Sequence, residues 1–218
     1  MKQKTSQILY SYWNTLRGDR LAPRRFEIEP ARIAAILPET FILEQTGDID
    51  RPFGSSYTFR LAGTRICEQF GVEFRGANFL DLWDEHERAD LEANLAEIAS
   101  LGGVGVMTFG AMNGSGRGAT FEALILPLMH TKPTADRFLG AISCTDLPLW
   151  LGSERIVSQH VLNWDVIWPD GRPQQAPAAP AHQAPFASEM AGARLVRSDR
   201  RQFRVFDGGL SKASSLKT

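Results

Sequence analysis

The sequence predicts an α+β fold: a five-stranded antiparallel sheet with helices packed on one face, preceded by an amphipathic N-terminal helix. Three observations carry that reading. Residues 104–146 contain three consecutive strand-like runs joined by short loops, one of them the glycine-rich 113–118, which is the pattern of an antiparallel meander. Two further strand-like runs, 40–45 and 56–62, precede it with helical segments between, so strands cluster instead of alternating regularly with helices. Of the 218 residues, 43% are hydrophobic and 22% charged, which suits a domain with a real core.

Taken in order, residues 5–17 place Ile8, Leu9, Tyr12, Trp13 and Leu16 at helical spacing ahead of Gly18, a natural helix stop. This apolar face needs cover, from its own domain in the first instance or from a second chain. Pro30 suits the first turn of a short helix over 31–37, which Pro38 ends. In the strand 40–45, Phe41 and Leu43 oppose Ile42 and Glu44. In 56–62, Tyr57, Phe59 and Leu61 alternate with Thr58 and Arg60.

Thr64 is placed to cap a helix over 65–70, closed by Gly71. Residues 76–83 read as irregular or as a single helical turn. Asp84 followed by Glu87 resembles a capping box opening a helix over 85–100, whose stripe is Leu91, Leu95 and Ile98. Within 119–129, Glu122, Leu124, Leu126 and Leu128 share one face, and Phe121, Ala123 and Ile125 the other. The domain boundaries expected are 1–38 for the flanking N-terminal helices, 39–146 for the core and 147–168 for a covering extension, helical or extended. Residues 169–187 are rich in Pro and Ala and read as a flexible linker. Residues 188–218 form a basic tail, expected to be flexible, in which arginines interleave with apolar residues between Arg194 and Phe206.

A formal net charge of -1 gives no global drive toward nucleic acid or anionic membrane, so neither is expected as a partner. No stretch reaches the ~20 apolar residues of a membrane span, and no signal peptide is evident. Cys67 and Cys144 each sit in an apolar pattern and read as buried free thiols, which suits a reducing cytoplasm.

The glycines at 114–118 precede a strand and not a helix, so they read as a hairpin turn and not a phosphate loop. Asp81, Asp84, Glu85 and Glu87 gather where a helix N-terminus attracts carboxylates without any metal. His130, His160 and His182 lack metal-ligand spacing, and Ser143 and Cys144 have no evident His partner. No catalytic residue and no metal site are therefore expected. The aromatics Phe59, Phe70, Phe79, Trp83, Phe109 and Phe121 either line a cavity between sheet and helices or fill an ordinary core.

The run Tyr57-Thr-Phe-Arg-Leu-Ala-Gly-Thr64, the helix ending at Phe70-Gly71 and Phe74-Arg-Gly-Ala-Asn-Phe-Leu-Asp-Leu-Trp83 together resemble a PAS domain. Leu124-Ile-Leu-Pro-Leu128 and Phe138-Leu-Gly-Ala-Ile142 extend the resemblance to about residues 5–168, and the set is similar to bacterial stand-alone PAS signalling proteins. The resemblance implies a sensory α+β module that works by ligand sensing, dimerisation or contact with another signalling protein. It places a ligand pocket among Phe59, Ile66, Phe70, Phe79, Trp83, Leu95, Phe109, Leu124 and Ile142. It places homodimer contacts at Ile8, Tyr12, Trp13 and Leu16.

The cofactor implied, if any, is unknown. Flavin photochemistry is argued against, because Asn78 is followed by Phe79 where the photoreceptor type has a cysteine. Haem has little support, because His86 lies in the charged run 84–88, off the Leu91/Leu95 stripe. The leading expectation is a non-enzymatic cytoplasmic module acting by protein contact, on a histidine kinase or another PAS-containing regulator. The alternative is a small-molecule sensor, and an enzyme of unrecognised type comes third.

Overall fold

In the computed structural model, which describes residues 1–47, 54–130, 134–171 and 173, the chain runs α1 (Lys4–Arg17), β1 (Thr40–Thr46), β2 (Ser56–Ala62), α2 (Thr64–Phe70), α3 (Glu85–Leu101), β3 (Val104–Asn113), β4 (Gly118–Met129), β5 (Ala135–Cys144) and β6 (Ile156–Ile167). Short 3-10 helices occupy Arg25–Glu27, Pro30–Glu39 and Phe79–Leu82. The fold is mixed α+β on an antiparallel sheet, with strand order β2-β1-β5-β4-β3-β6. The expected linker and basic tail lie, beyond the first residues of the linker, outside the described residues. So do parts of the loops after β1 and β4.

The sheet has two covered faces, because alternating side chains along each strand feed two separate cores. Phe41, Leu43, Phe59, Phe109, Phe121 and Ile142 point to one face, where α2, the Phe79–Leu82 turn and α3 contribute Ile66, Phe70, Phe79, Leu91, Leu95 and Ile98. Ile42, Val106, Leu124, Leu126, Leu128 and Leu139 point to the other, where α1 supplies Leu9 and Trp13 and the Pro30–Glu39 helix supplies Ile33 and Ile36. The N-terminal helix is thus docked on its own domain, across the sheet from the other helices.

Several local contacts fix α1 there. Its N-cap, Gln3, makes no side-chain cap; instead the Glu122 carboxylate on β4 accepts from Lys2 N at 2.6 Å and Gln3 N at 3.1 Å. A carboxylate from another element thereby satisfies amides at the helix start and meets its positive dipole end. Thr5 Oγ1 donates to Glu39, whose carboxylate also accepts from Ser143 Oγ at 3.0 Å and Arg65 at 2.7 Å. At the far end, Arg17 holds Asp170 with two hydrogen bonds of 3.0 and 2.8 Å.

Within 147–168, expected as a helical or extended cover, the chain forms the strand β6. It extends the sheet as an edge strand along β3, with Trp164 lying over Gly105, where an added Cβ would come within 2.7 Å of the indole. The register passes from Thr108↔Asn163 to Phe109↔Val161, leaving Leu162 unopposed in a bulge. Here the sequence signal was blurred: the bulge breaks the two-residue period, so 159 and 161 share a face with 164 and 166.

The bulge also explains why the expected capping box fails. Asp84 is the N-cap of α3, but its side chain makes no cap, and Glu87 reaches instead to Val161 N at 2.7 Å. The N-cap of α2 is Gly63, one residue before the expected Thr64. The β3–β4 connection is the expected tight turn, with Asn113 Oδ1 accepting from Ser115 N and Arg117 N and Gly116 at φ 80°. Cys67 and Cys144 are free thiols, half-buried and buried. Among the described residues no helix is long and apolar enough to cross a membrane.

Candidate functional site

The aromatic side chains on the α3 face form one connected cluster. Phe59 lies 5.1 Å from Phe74 and 6.1 Å from Phe79, ring centre to ring centre. Phe79 lies 5.7 Å from Trp83, Trp83 meets Phe109 edge-on at 5.3 Å, and Phe109 stacks on Phe121 at 5.2 Å. Such offset and edge-on pairs add to the burial energy of the rings, by about 0.5–1.5 kcal/mol each. Strand alternation brings Phe59, Phe109 and Phe121 to this face, and the turn after Asn78 presents Phe79 and Trp83 from above.

That turn is set by Asn78. Its Oδ1 accepts from Tyr57 N at 2.9 Å, tying the turn to β2, while its Nδ2 donates to Asp81 at 3.2 Å. Tyr57 is buried beside Phe138, and desolvation, helped by the charge of Glu92, pushes its phenol well above the ordinary range, so it stays neutral.

At the centre of the cluster a small cavity is lined by Phe59, Phe70, Phe74, Phe79, Leu82, Trp83, Met107, Phe109, Ile142 and Gln159. Its free volume is about 10 Å³, room for about one water. Two polar groups border it: Gln159 from β6, and Trp83, whose buried Nε1 has no acceptor among the described residues.

Six of the nine pocket residues expected from the sequence line this cavity: Phe59, Phe70, Phe79, Trp83, Phe109 and Ile142. Ile66 and Leu95 belong to the same core without lining it. Leu124 does not belong there. The register pairs Ala123 with Ile142 and Leu124 with Ala141, so Leu124 faces α1 on the opposite side of the sheet. Sequence reasoning missed Gln159, because β6 was read as cover and not as a sheet strand. Phe74 was visible inside the quoted PAS-like run but was not singled out.

The four expected contact residues on α1 separate. Trp13 is fully buried and Tyr12 and Leu16 are half-buried against the same core, while Ile8 is 40% exposed. Tyr12 Oη also accepts from Glu29 N at 2.8 Å. Trp13 therefore serves the chain's own core. His86 is exposed on the first turn of α3 and does not line the cavity. Among the described residues no group of three or more His, Cys, Asp or Glu is arranged to hold a metal ion.

A sheet of order β2-β1-β5-β4-β3, with helices enclosing an aromatic cavity on one face, has the architecture of a PAS domain. The sequence comparison agrees: residues 1–143 match the family described as PAS domain, and the chain belongs to that family. The match ends before β6, which lies outside it. A comparison with curated proteins gives no match. Among solved structures, the chain is similar to a LOV protein of Rhodobacter sphaeroides, at 14% sequence identity and a TM-score of 0.38, covering 55% of this chain and 70% of that one.

Proposed function

We propose that this chain is a non-enzymatic, cytoplasmic PAS signalling module that works by protein contact, acting on a histidine kinase or another PAS-containing regulator. Its PAS membership supports a role in signalling. The observation that favours contact over ligand sensing is the filled cavity, about 10 Å³ among closely packed rings. A pocket that holds a small molecule is usually some tens of times larger, at about 300–1,000 Å³. The described lining is apolar apart from Gln159 and the Trp83 indole, with no nucleophile and base facing one another.

A second reading, a small-molecule sensor, rests on one observation: Trp83 Nε1, with no acceptor among the described residues, borders the same cavity as Gln159. A ligand would enter by favouring a minor, expanded arrangement of sheet and helices. Homodimerisation is part of the proposal, with Ile8, the exposed one of the four α1 candidates, free to take part.

Native mass spectrometry of the purified chain separates the two readings. Protein contact predicts the bare polypeptide mass, together with a change in autophosphorylation of a co-resident histidine kinase when the chain is added. A stoichiometric bound small molecule, or no effect on any PAS-containing kinase or regulator tested, overturns it.

A further inference from the structure

On the α1 side of the sheet, away from the aromatic cavity, Arg25, Arg60, Arg137 and His130 surround a surface groove of about 420 Å³ floored by Ile42 and Leu61. The groove is built by the fold. Arg137 stands on β5. Arg25 is held in place because Met129 N donates to Pro23 O at 3.0 Å, Arg24 bridges to Met129, and Ile28 is buried beyond it. Arg60 is delivered by a bulge. The β1–β2 register passes from Ile42↔Leu61 to Leu43↔Phe59, so Arg60 has no opposite residue. A bulge re-aims side chains, and here both Arg60 and Leu61 line the groove.

The electrostatics are unbalanced. One carboxylate, Glu44, serves both Arg60 and Arg137, the latter at 2.5 Å. Burial raises the Glu44 pKa, but the two guanidinium groups outweigh that and hold it below its ordinary value, so it is ionised. Of the neighbouring acids, Glu27 is engaged with Arg20 and Arg24 N, while Asp136 sits at the His130 end of the groove and accepts from His130 N at 3.0 Å. The side chains of Arg25 and His130 have no partner among the described residues. Among the described residues, three guanidinium groups and no carboxylate line the groove; with Glu44 shared by two of them and Asp136 held at His130, a positive excess remains there.

We infer that this groove binds a phosphorylated side chain on a segment of a partner protein. A phosphoryl monoester carries about -1.5 to -2 charge at neutral pH, which complements the positive lining, and its oxygens suit the forked donors of arginine. The groove is larger than a free phosphate needs, and Ile42 and the 44% exposed Leu61 offer apolar contact to residues flanking the phosphate. A polynucleotide would need a basic track continuing beyond one cluster, and the whole chain has a net charge of -1. The inference deepens the proposed contact role and rests on it.

Calorimetric titration of the full chain tests it with four probes: a short peptide with one phosphoserine flanked by Leu and Val, its unphosphorylated form, inorganic phosphate, and a single-stranded oligonucleotide. The phosphopeptide is expected to bind at least about tenfold more tightly than the other three, as the loss of charge-assisted hydrogen bonds implies. Arg25→Ala and Arg60→Ala should each weaken it by about tenfold. Arg25 has no described side-chain partner and the Arg60 side chain is 59% exposed, so both variants should keep the wild-type unfolding midpoint.

Equal binding of the unphosphorylated peptide, or unchanged affinity in both variants, overturns the inference. Inorganic phosphate or the oligonucleotide binding as tightly as the phosphopeptide overturns the protein-segment assignment. Kinase modulation that survives in both variants would sink the groove while leaving the contact role standing. A bound small molecule in native mass spectrometry would sink the contact role itself.

Discussion

The indole Nε1 of Trp13 donates a hydrogen bond to the backbone carbonyl of Pro127 at 2.8 Å. It joins the middle of α1 to β4 across 114 residues of sequence, with the ring fully buried between them. Trp13→Phe keeps most of the apolar ring but removes the donor, and should cost about 1–3 kcal/mol in urea unfolding. Trp13→Asp would put a carboxylate into the core and unfold the domain, so it cannot report on an interface. Ile8→Asp can, with size measurements as its readout. A Trp13→Phe variant as stable as the parent would show that the bond contributes nothing.

The carboxylates that hold α1 make its docking acid-sensitive. For Glu122, burial raises the pKa, but the hydrogen bonds from Lys2 N and Gln3 N, with the nearby Ser6 hydroxyl and the N-terminal ammonium, outweigh burial and hold it below the ordinary value. For Glu39, burial again raises, and Thr5, Ser143 and Arg65 prevail. A folded-state pKa below the unfolded one stabilises the protein above the unfolded value of about 4.3, and that stability is lost as pH falls through the folded value. Unfolding midpoints should hold from neutral pH to about 5 and then drop. Glu122→Gln should lower the plateau by about 1–2 kcal/mol and flatten the drop.

Gly105 leaves room on β3 for the Trp164 ring of the neighbouring edge strand β6. A side chain there would meet the Trp164 ring at 2.7 Å and Ile98 at 3.4 Å. Gly105→Val should lift the edge strand while leaving the inner strands paired. Hydrogen exchange is then expected to accelerate in Ile156–Ile167 with little change in β1, β4 and β5. Uniform acceleration throughout the sheet would mean that β6 is not a separable unit.

The tightness of the aromatic cluster can be measured directly. Phe79→Ala removes a fully buried ring that borders the cavity, and should cost about 3–5 kcal/mol. A cost below about 1 kcal/mol would mean that the neighbouring rings collapse into the space, or that the site is looser than the packing implies.

The parts of this fold legible in the sequence are those where one periodicity runs undisturbed. Phe59, Phe109 and Ile142 came to the cavity face as alternation required, and Leu91, Leu95 and Ile98 formed the buried stripe of α3. Leu124 was misassigned because its own strand gives two apolar faces, and only the pairing of Ala123 with Ile142 tells which faces the cavity. A sheet covered on both sides erases the polar face that would have decided it. Gln159 and Arg60 were missed for a related reason. Each lies beside a bulge, where one extra residue shifts the period, and bulges are set by pairing partners that a linear reading does not contain.

The forked pairing of Arg17 with Asp170 closes a mechanical loop. One residue ends α1, and the other follows the last strand, beyond the region matched by the family. Force arriving at Asp170 is therefore shared between β6, which ends three residues earlier, and α1 through the Arg17 pair. The end of the helix and the residues that follow the last strand are thereby tied at one point, a single turn of helix away from where Trp13 ties α1 to β4.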